Sequence, residues 1–273
     1  MSNQISGLDD DVILKVTGMS ISFGGLKAVD DFSFFLREKE ILGLIGPNGA
    51  GKTTVFNCIT QFYKPDSGEI LFRTKQGSTV NLVGMKVHDI IKLGLVRTFQ
   101  NVEVIRELSI LDNLLIGAHT EYKSSPLSQI LRLPKARREE KEMIAKAEAI
   151  LSALGLLELR HAFAGGQPYG ILKKVEMART LMTNPRLIIL DEPAAGLDDA
   201  ETIQFSETIR QLRDQFNLAI LLVEHDMRLV MSICERVCAI SFGKYLACDT
   251  PEKIKSNPLV QEAYLGEEET EIE

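Results

Sequence analysis

Residues 46–54 read GPNGAGKTT. They fit the spacing G-x-x-x-x-G-K-[ST], and the segment before them, residues 40–45, is a buried-strand candidate, apolar after Glu40. Gly46, Gly49 and Gly51 let a backbone wrap closely around a ligand, with its N–H groups forming an anion cradle. Pro47, Asn48 and Ala50 fill the variable positions together with Gly49. Lys52 brings a point charge suited to β- and γ-phosphates. Thr53 brings a hydroxyl suited to Mg²⁺, and Thr54 leads on into a helix expected over residues 53–60. A second pattern, RLIILDEP at residues 186–193, places two acids at the C-terminal end of an apolar strand. That is the end where α/β sheets bind ligands. Asp191 suits Mg²⁺, directly or through water, and Glu192 is placed to polarise an attacking water. A strand-end acidic pair alone could be a solvated turn; beside the glycine loop, hydrolysis of a nucleotide phosphate is the better reading.

These groups need a sheet to hold them. Residues 12–16 and 19–23 read as strand material, and residues 32–36 alternate with a strand's period. KPDSGEILF reads as a turn followed by a strand. From about residue 100 the character changes. Residues 108–160 look helical, broken near 124–126 and 133–134. Within them Met143, Ala147, Ile150 and Leu154 form one apolar stripe, and Glu142 and Lys146 an i,i+4 pair. Strands return at residues 187–190, 219–223 and 237–240, with a helix at about 200–215 between them. The order predicts an α/β fold: a P-loop nucleotide-binding core, about 12–100 and 180–248, with a helical subdomain inserted at about 101–179.

The 273 residues carry 45% hydrophobic and 25% charged side chains and a net charge of −7. That balance fits a globular protein and disfavours nucleic acid as a partner. The apolar runs are far shorter than the roughly 20 residues that span a bilayer, and the first residues lack a signal-peptide pattern. A cytoplasmic location is expected. The four cysteines, at 58, 234, 238 and 248, complete no metal set with a histidine and read as reduced packing residues. His88, His119 and His161 match no site.

Three more strings fall in order around these two patterns: RTFQN at residues 97–101, AAGLD at 194–198 and VEHDM at 223–227. With them, nearly the whole chain resembles the ATPase subunits of ABC transporters. The resemblance implies that Phe23 stacks on adenine and that Gln100 senses the γ-phosphate–Mg²⁺ end and the membrane partner. It implies that the loop ending in Asp198 crosses a dimer interface and that His225 contacts the γ-phosphate. LGLVRTFQNVEVIRELSILDNLLIG and the end segment PEKIKSNPLVQEAYLGEEE, about residues 249–266 and on, resemble the first of two ATPases in bacterial branched-chain amino acid importers. Locally, Asn257-Pro258 can start a short helix and Gly266 can close it, leaving an acidic tail at 267–273.

One stretch, AGGQPYGILKKVEMAR at residues 164–179, offers two glycine-bearing tetrads before a helix. In the family pattern the signature begins eleven residues before the alanine of an Ala-Arg pair. Counting back from Ala178-Arg179 places it at residues 167–171, so Gly170, not Gly165 or Gly166, should approach a phosphate bound by a partner subunit. The usual serine is missing, and Ile171 and Leu172 stand where polar residues are usual.

The resemblance implies ATP and Mg²⁺ as cofactors, with Thr53, Gln100 and Asp191 around the metal. It implies a second, different ATPase as dimer partner, two integral-membrane permease subunits and, indirectly, an external solute-binding protein, with this chain peripheral on the inner membrane face. The implied function is ATP hydrolysis powering uptake of branched-chain amino acids or related solutes. The alternatives are an ABC ATPase for another substrate, or a soluble ABC ATPase outside transport, which would usually carry a duplicated unit or a coiled-coil insertion.

Overall fold

Residues 41–45, Ile-Leu-Gly-Leu-Ile, are buried throughout, as a strand covered on both faces must be. Residues 187–191 and 219–223 are likewise buried end to end. In the computed structural model these three segments are neighbouring parallel strands. It describes residues 8–98, 103–119, 121–122, 124–125, 128 and 133–270, the last six by backbone alone. In chain order the strands are β1 (Val12–Phe23), β2 (Leu26–Arg37), β3 (Ile41–Ile45), β4 (Ser67–Arg73), β5 (Thr79–Asn81), β6 (Leu95–Arg97), β7 (Leu187–Asp191), β8 (Ala219–Val223), β9 (Arg236–Ser241) and β10 (Lys244–Asp249). The helices are α1 (Lys52–Ile59), α2 (Val87–Leu93), α3 (Ile110–Gly117), α4 (Pro134–Ala153), α5 (Tyr169–Leu181), α6 (Asp199–Phe216), α7 (Met227–Ile233), α8 (Pro251–Lys255) and α9 (Pro258–Thr270).

The chain divides into two compact units, Met1–Arg97 with Arg186–Glu273, and Thr98–Pro185. The first holds an antiparallel sheet of order β2-β1-β4-β5 and a mainly parallel sheet of order β10-β9-β3-β8-β7-β6. One core lies between them, built from side chains such as Ile13, Phe32, Phe56, Phe72 and Leu221. Each such apolar side chain contributes on the order of 1.5–3 kcal/mol by leaving water. Register matters most for the site. Leu44 pairs with Val223, and Val223 with Asp191. The C-terminal ends of β3, β8 and β7 are therefore level, and the loops leaving these three strands emerge at one edge.

The second unit is helical. In α4, Ala147 and Ile150 are buried, and Leu154 just beyond it is too, so the stripe faces inward; Met143 is half-buried. Glu142 pairs with Arg138, one turn earlier, at 3.0 Å. The Lys146 ammonium donates to the Met182 carbonyl at 2.5 Å. Met182 is the C-cap of α5, where a cation meets the negative end of the helix dipole.

Several expectations change in detail. The two predicted strands before residue 24 are one, β1, bulged between Val16 and Met19. Gly18 permits this with φ of 59°. The short β6 and the hairpin strand β10 have too few residues for a period to register. Pro258 does start a helix, but Gly266 does not close it. α9 runs through Thr270, because one glycine costs only about 1 kcal/mol and the glutamates after it favour helix. Residues 271–273 of the expected tail lie outside the described residues. No helix among the described residues is long and apolar enough to cross a membrane.

Candidate functional site

Gly46 leaves β3 at the level edge, and the loop turns back into α1. A Cβ on Gly46 would lie 2.1 Å from the Ile240 carbonyl oxygen of β9, so no other residue fits there without displacement. Gly49 and Gly51 adopt φ of 72° and 105°, the left-handed region that glycine enters freely. A Cβ on Gly51 would also meet the Ala28 carbonyl at 2.7 Å. The first helical bond of α1 runs from the Val55 N–H to Gly51. The N–H groups just before it have no partner inside the helix, as at any helix start. They form a positive rim suited to phosphate.

A cavity of about 440 Å³ lies over this rim, lined by residues 48–54, Phe23, Ala28, Lys27, Glu192 and Phe242 among others. Asn48, Gly49, Ala50, Gly51, Lys52, Thr53, Thr54, Glu192 and Phe23 of the predicted set therefore share one cavity. The Phe23 ring is 45% exposed and packs edge-on against Tyr63, with ring centres 5.2 Å apart. A flat ligand can lie on it. The Lys52 ammonium is buried and donates to the carbonyls of Gly46, at 2.5 Å, and Pro47, at 2.8 Å. It is held inside the loop at the position a phosphate charge would attract.

Asp191 ends β7 and is buried. Burial pushes its carboxyl above the usual range, while Arg97 pulls the other way. The Arg97 guanidinium bonds Asp191 Oδ2 at 2.8 Å, bonds Asn57 Oδ1 at 2.7 Å and lies 4.2 Å over the Phe56 ring. Arg97 was missed from sequence; only its place in RTFQN pointed to it. Glu192 comes next in the chain, with φ of 47°, a conformation uncommon outside glycine and asparagine. Its N–H is bonded to the Val223 carbonyl at 2.8 Å. His225 Nδ1 lies 3.9 Å from Glu192 Oε1. Glu224, also missed, is 1% exposed, and burial raises its pKa against three backbone hydrogen bonds that lower it. Its place in VEHDM pointed to it, as RTFQN did to Arg97, but nothing in that string marks a buried carboxylate.

Asp198 caps α6. Its carboxylate accepts from the Glu201 N–H at 2.8 Å, and the Glu201 carboxylate accepts from the Asp198 N–H in return, a capping box. Gln100 lies outside the described residues.

The two tetrads differ in what their N–H groups do. The Ala164 and Gly165 N–H groups bond to the carbonyls of Leu108 and Arg106 at 3.0 Å each, and that of Gln167 bonds to Ala164. They belong to a short 3-10 turn, residues 164–166. In α5, the Leu172 N–H bonds back to Pro168. The N–H groups of Tyr169, Gly170 and Ile171 therefore precede the first helical bond.

Among the described residues no cluster of three or more His, Cys, Asp or Glu could hold a metal ion. The oxygens at hand are the Thr53 hydroxyl, exposed at the start of α1, and the Asp191 carboxylate. Hydroxyl and carboxylate suit a hard cation that keeps most of its water and takes the rest of its ligands from phosphate.

The ABC transporter family model matches residues 29–195, and a model described as branched-chain amino acid ATP-binding cassette transporter matches residues 246–270. The chain is 46% identical over 255 residues to the high-affinity branched-chain amino acid transport ATP-binding protein LivG of Salmonella typhimurium, covering 93% of this chain and 98% of the relative. It is 43% identical, with the same coverage, to BraF of Pseudomonas aeruginosa, which carries the same description. A crystal structure of the ADP conformation of an ATP-binding cassette of an ABC transporter superposes with a TM-score of 0.79 at 33% identity, covering 93% of this chain and 99% of that one.

Proposed function

This chain belongs to the ABC transporter ATP-binding family and is an ATPase of that family, and on that premise we propose that it powers import of branched-chain amino acids through a separate membrane permease. The observation that carries the substrate is the match of residues 246–270 to the branched-chain amino acid model. The rest of the chain would serve any cargo.

In this reading ATP lies along the 440 Å³ cavity. The adenine stacks on Phe23, the α1 rim and residues 46–54 hold the phosphates, and Lys52 turns from the loop carbonyls to the β- and γ-phosphates. Thr53 and Asp191, with Gln100, would hold Mg²⁺. Bound there, the ion would neutralise charge that builds on the transferred phosphoryl group. Glu192 orients the attacking water and His225 holds the γ-phosphate oxygen. Preorganised dipoles and charges account for most of the rate.

Gly170 serves the nucleotide of a second ATPase, and the loop ending in Asp198 lies against that subunit. Without the usual serine, this chain's signature is the weaker of the two, so the partner is a different ATPase with a fuller signature. The pair sits on the inner membrane face under two permease subunits, fed by an external solute-binding protein. The test is reconstitution of the four-subunit assembly in liposomes. ATP-dependent leucine uptake is expected. ATP-dependent transport of another solute, with no effect of leucine, would leave the ATPase and overturn the cargo.

A further inference from the structure

Glu224 is the first residue after β8, and its side chain is 1% exposed. A carboxylate so enclosed needs hydrogen bonds to offset its lost hydration. It has them from two separate loops. Oε1 accepts from the Ala194 N–H at 2.8 Å, thirty residues away. Oε2 accepts from the N–H groups of His225 at 3.2 Å and Asp226 at 3.4 Å. Ala194 belongs to the turn that presents Glu192, closed by a bond from the Ala195 N–H to the Glu192 carbonyl. Glu192 is left-handed there, so its neighbours must hold it in a conformation it would otherwise leave. Two bonds tie that turn to the end of β8: the Val223 carbonyl takes the Glu192 N–H, and Glu224 takes that of Ala194. The same carboxylate lies 3.9 Å from His225 Nδ1.

We propose that Glu224 is a positioning residue for hydrolysis: its carboxylate bridges the turn that carries Glu192 to the loop that carries His225 and fixes the two relative to each other. The proposal rests on the roles proposed for Glu192 and His225 in hydrolysis. None of its bonds reaches residues 46–54, which make most of the nucleotide's contacts in this reading, so it should set turnover far more than nucleotide affinity.

Glu224→Gln tests this. The amide has nearly the same shape but one acceptor oxygen. Whichever way it turns, its NH₂ group faces a backbone N–H, and one of the two loops is released. Glu224→Asp keeps the charge and the nearby bonds to residues 225 and 226, but falls a methylene short of Ala194. It carries the test if the glutamine variant does not fold.

The assay is single-turnover phosphate release in the reconstituted assembly, with affinity measured by a fluorescent ATP analogue and Glu192→Gln run beside it. The expected result is at least a tenfold loss of turnover with affinity within twofold of wild type. The double variant with Glu192→Gln should lose little beyond Glu192→Gln alone, because both act through one group. Turnover within twofold of wild type in a folded variant, or affinity lost in step with turnover, overturns the proposal. Full turnover in Glu192→Gln overturns the underlying reading instead, and the two failures are thereby told apart.

Discussion

The phosphate-loop motif fixes a glycine at position 46 and leaves position 49 open, and the structure gives the physical reason. Replace Gly46 by alanine and the new Cβ lies 2.1 Å from the Ile240 carbonyl and 3.1 Å from both Ala50 Cβ and Ile240 Cγ2. Ordinary contact begins near 3.4 Å, so the loop must move by roughly the difference, more than 1 Å. The obstacle cannot yield, since Ile240 lies on β9, hydrogen-bonded between β3 and β10. Overpacking of this kind costs about 1–3 kcal/mol. At Gly49 nothing lies within 4 Å of the new Cβ, and the cost is the left-handed φ alone, about 1 kcal/mol. The gain from a stiffer unfolded chain is common to both and cancels. The difference is up to about 2 kcal/mol, so at about 2–4 °C per kcal/mol for a domain of this size Gly46→Ala should melt below Gly49→Ala, by up to about 8 °C. It should also lose far more ATP affinity, because the displaced loop carries the cradle. Thermal denaturation and equilibrium dialysis with ATP read both. If Gly46→Ala melts with or above Gly49→Ala, the packing argument against β9 is wrong.

Arg97→Ala leaves the buried Asp191 carboxylate without its guanidinium, and breaking such a pair costs about 3 kcal/mol. Asp191 already has a raised pKa from burial, which Arg97 restrains, so the variant should raise it further. A raised carboxyl pKa penalises the folded state progressively as pH rises from the unfolded value through the folded one, and not below the unfolded value. The melting deficit of Arg97→Ala should therefore be largest above the carboxyl's folded pKa and shrink as pH falls through it toward the unfolded value; a constant deficit would contradict this. In the helical unit, a Cβ on Gly166 meets nothing within 4 Å, so Gly166→Ala should leave transport nearly unchanged. Gly170→Val should depress hydrolysis at the partner's nucleotide by close approach, read by site-resolved nucleotide trapping. Greater sensitivity at Gly166 would reverse the choice of tetrad.

Much of the site was legible because its chemistry is local in sequence. A glycine loop sits between a strand and a helix, and an acidic pair ends a strand; sheet register then makes those ends level. The α/β core could be read from β3, β7 and β8, whose short apolar runs, too short for helices and bounded by loop residues, fit covered strands. What escaped depends on contacts distant in the chain. Arg97 matters through a carboxylate ninety-four residues on, and Glu224 through an N–H thirty residues back. The left-handed turn at Glu192 carries no glycine or asparagine to announce it. Asp198 shows the converse: a residue chosen by motif position also has a plain structural task as a helix cap.

In the proposed mechanism, ATP held by residues 46–54 is hydrolysed by water that Glu192 orients. Nucleotide binding and phosphate release measured side by side on Lys52→Ala and Glu192→Gln, in the reconstituted assembly, test it most directly. Lys52→Ala should lose binding and, with it, release. Glu192→Gln should bind ATP as wild type does and release phosphate at least about a hundredfold more slowly, the scale on which positioned acid–base groups act. Phosphate release at the wild-type rate from Glu192→Gln, or undiminished ATP binding by Lys52→Ala, would contradict the account.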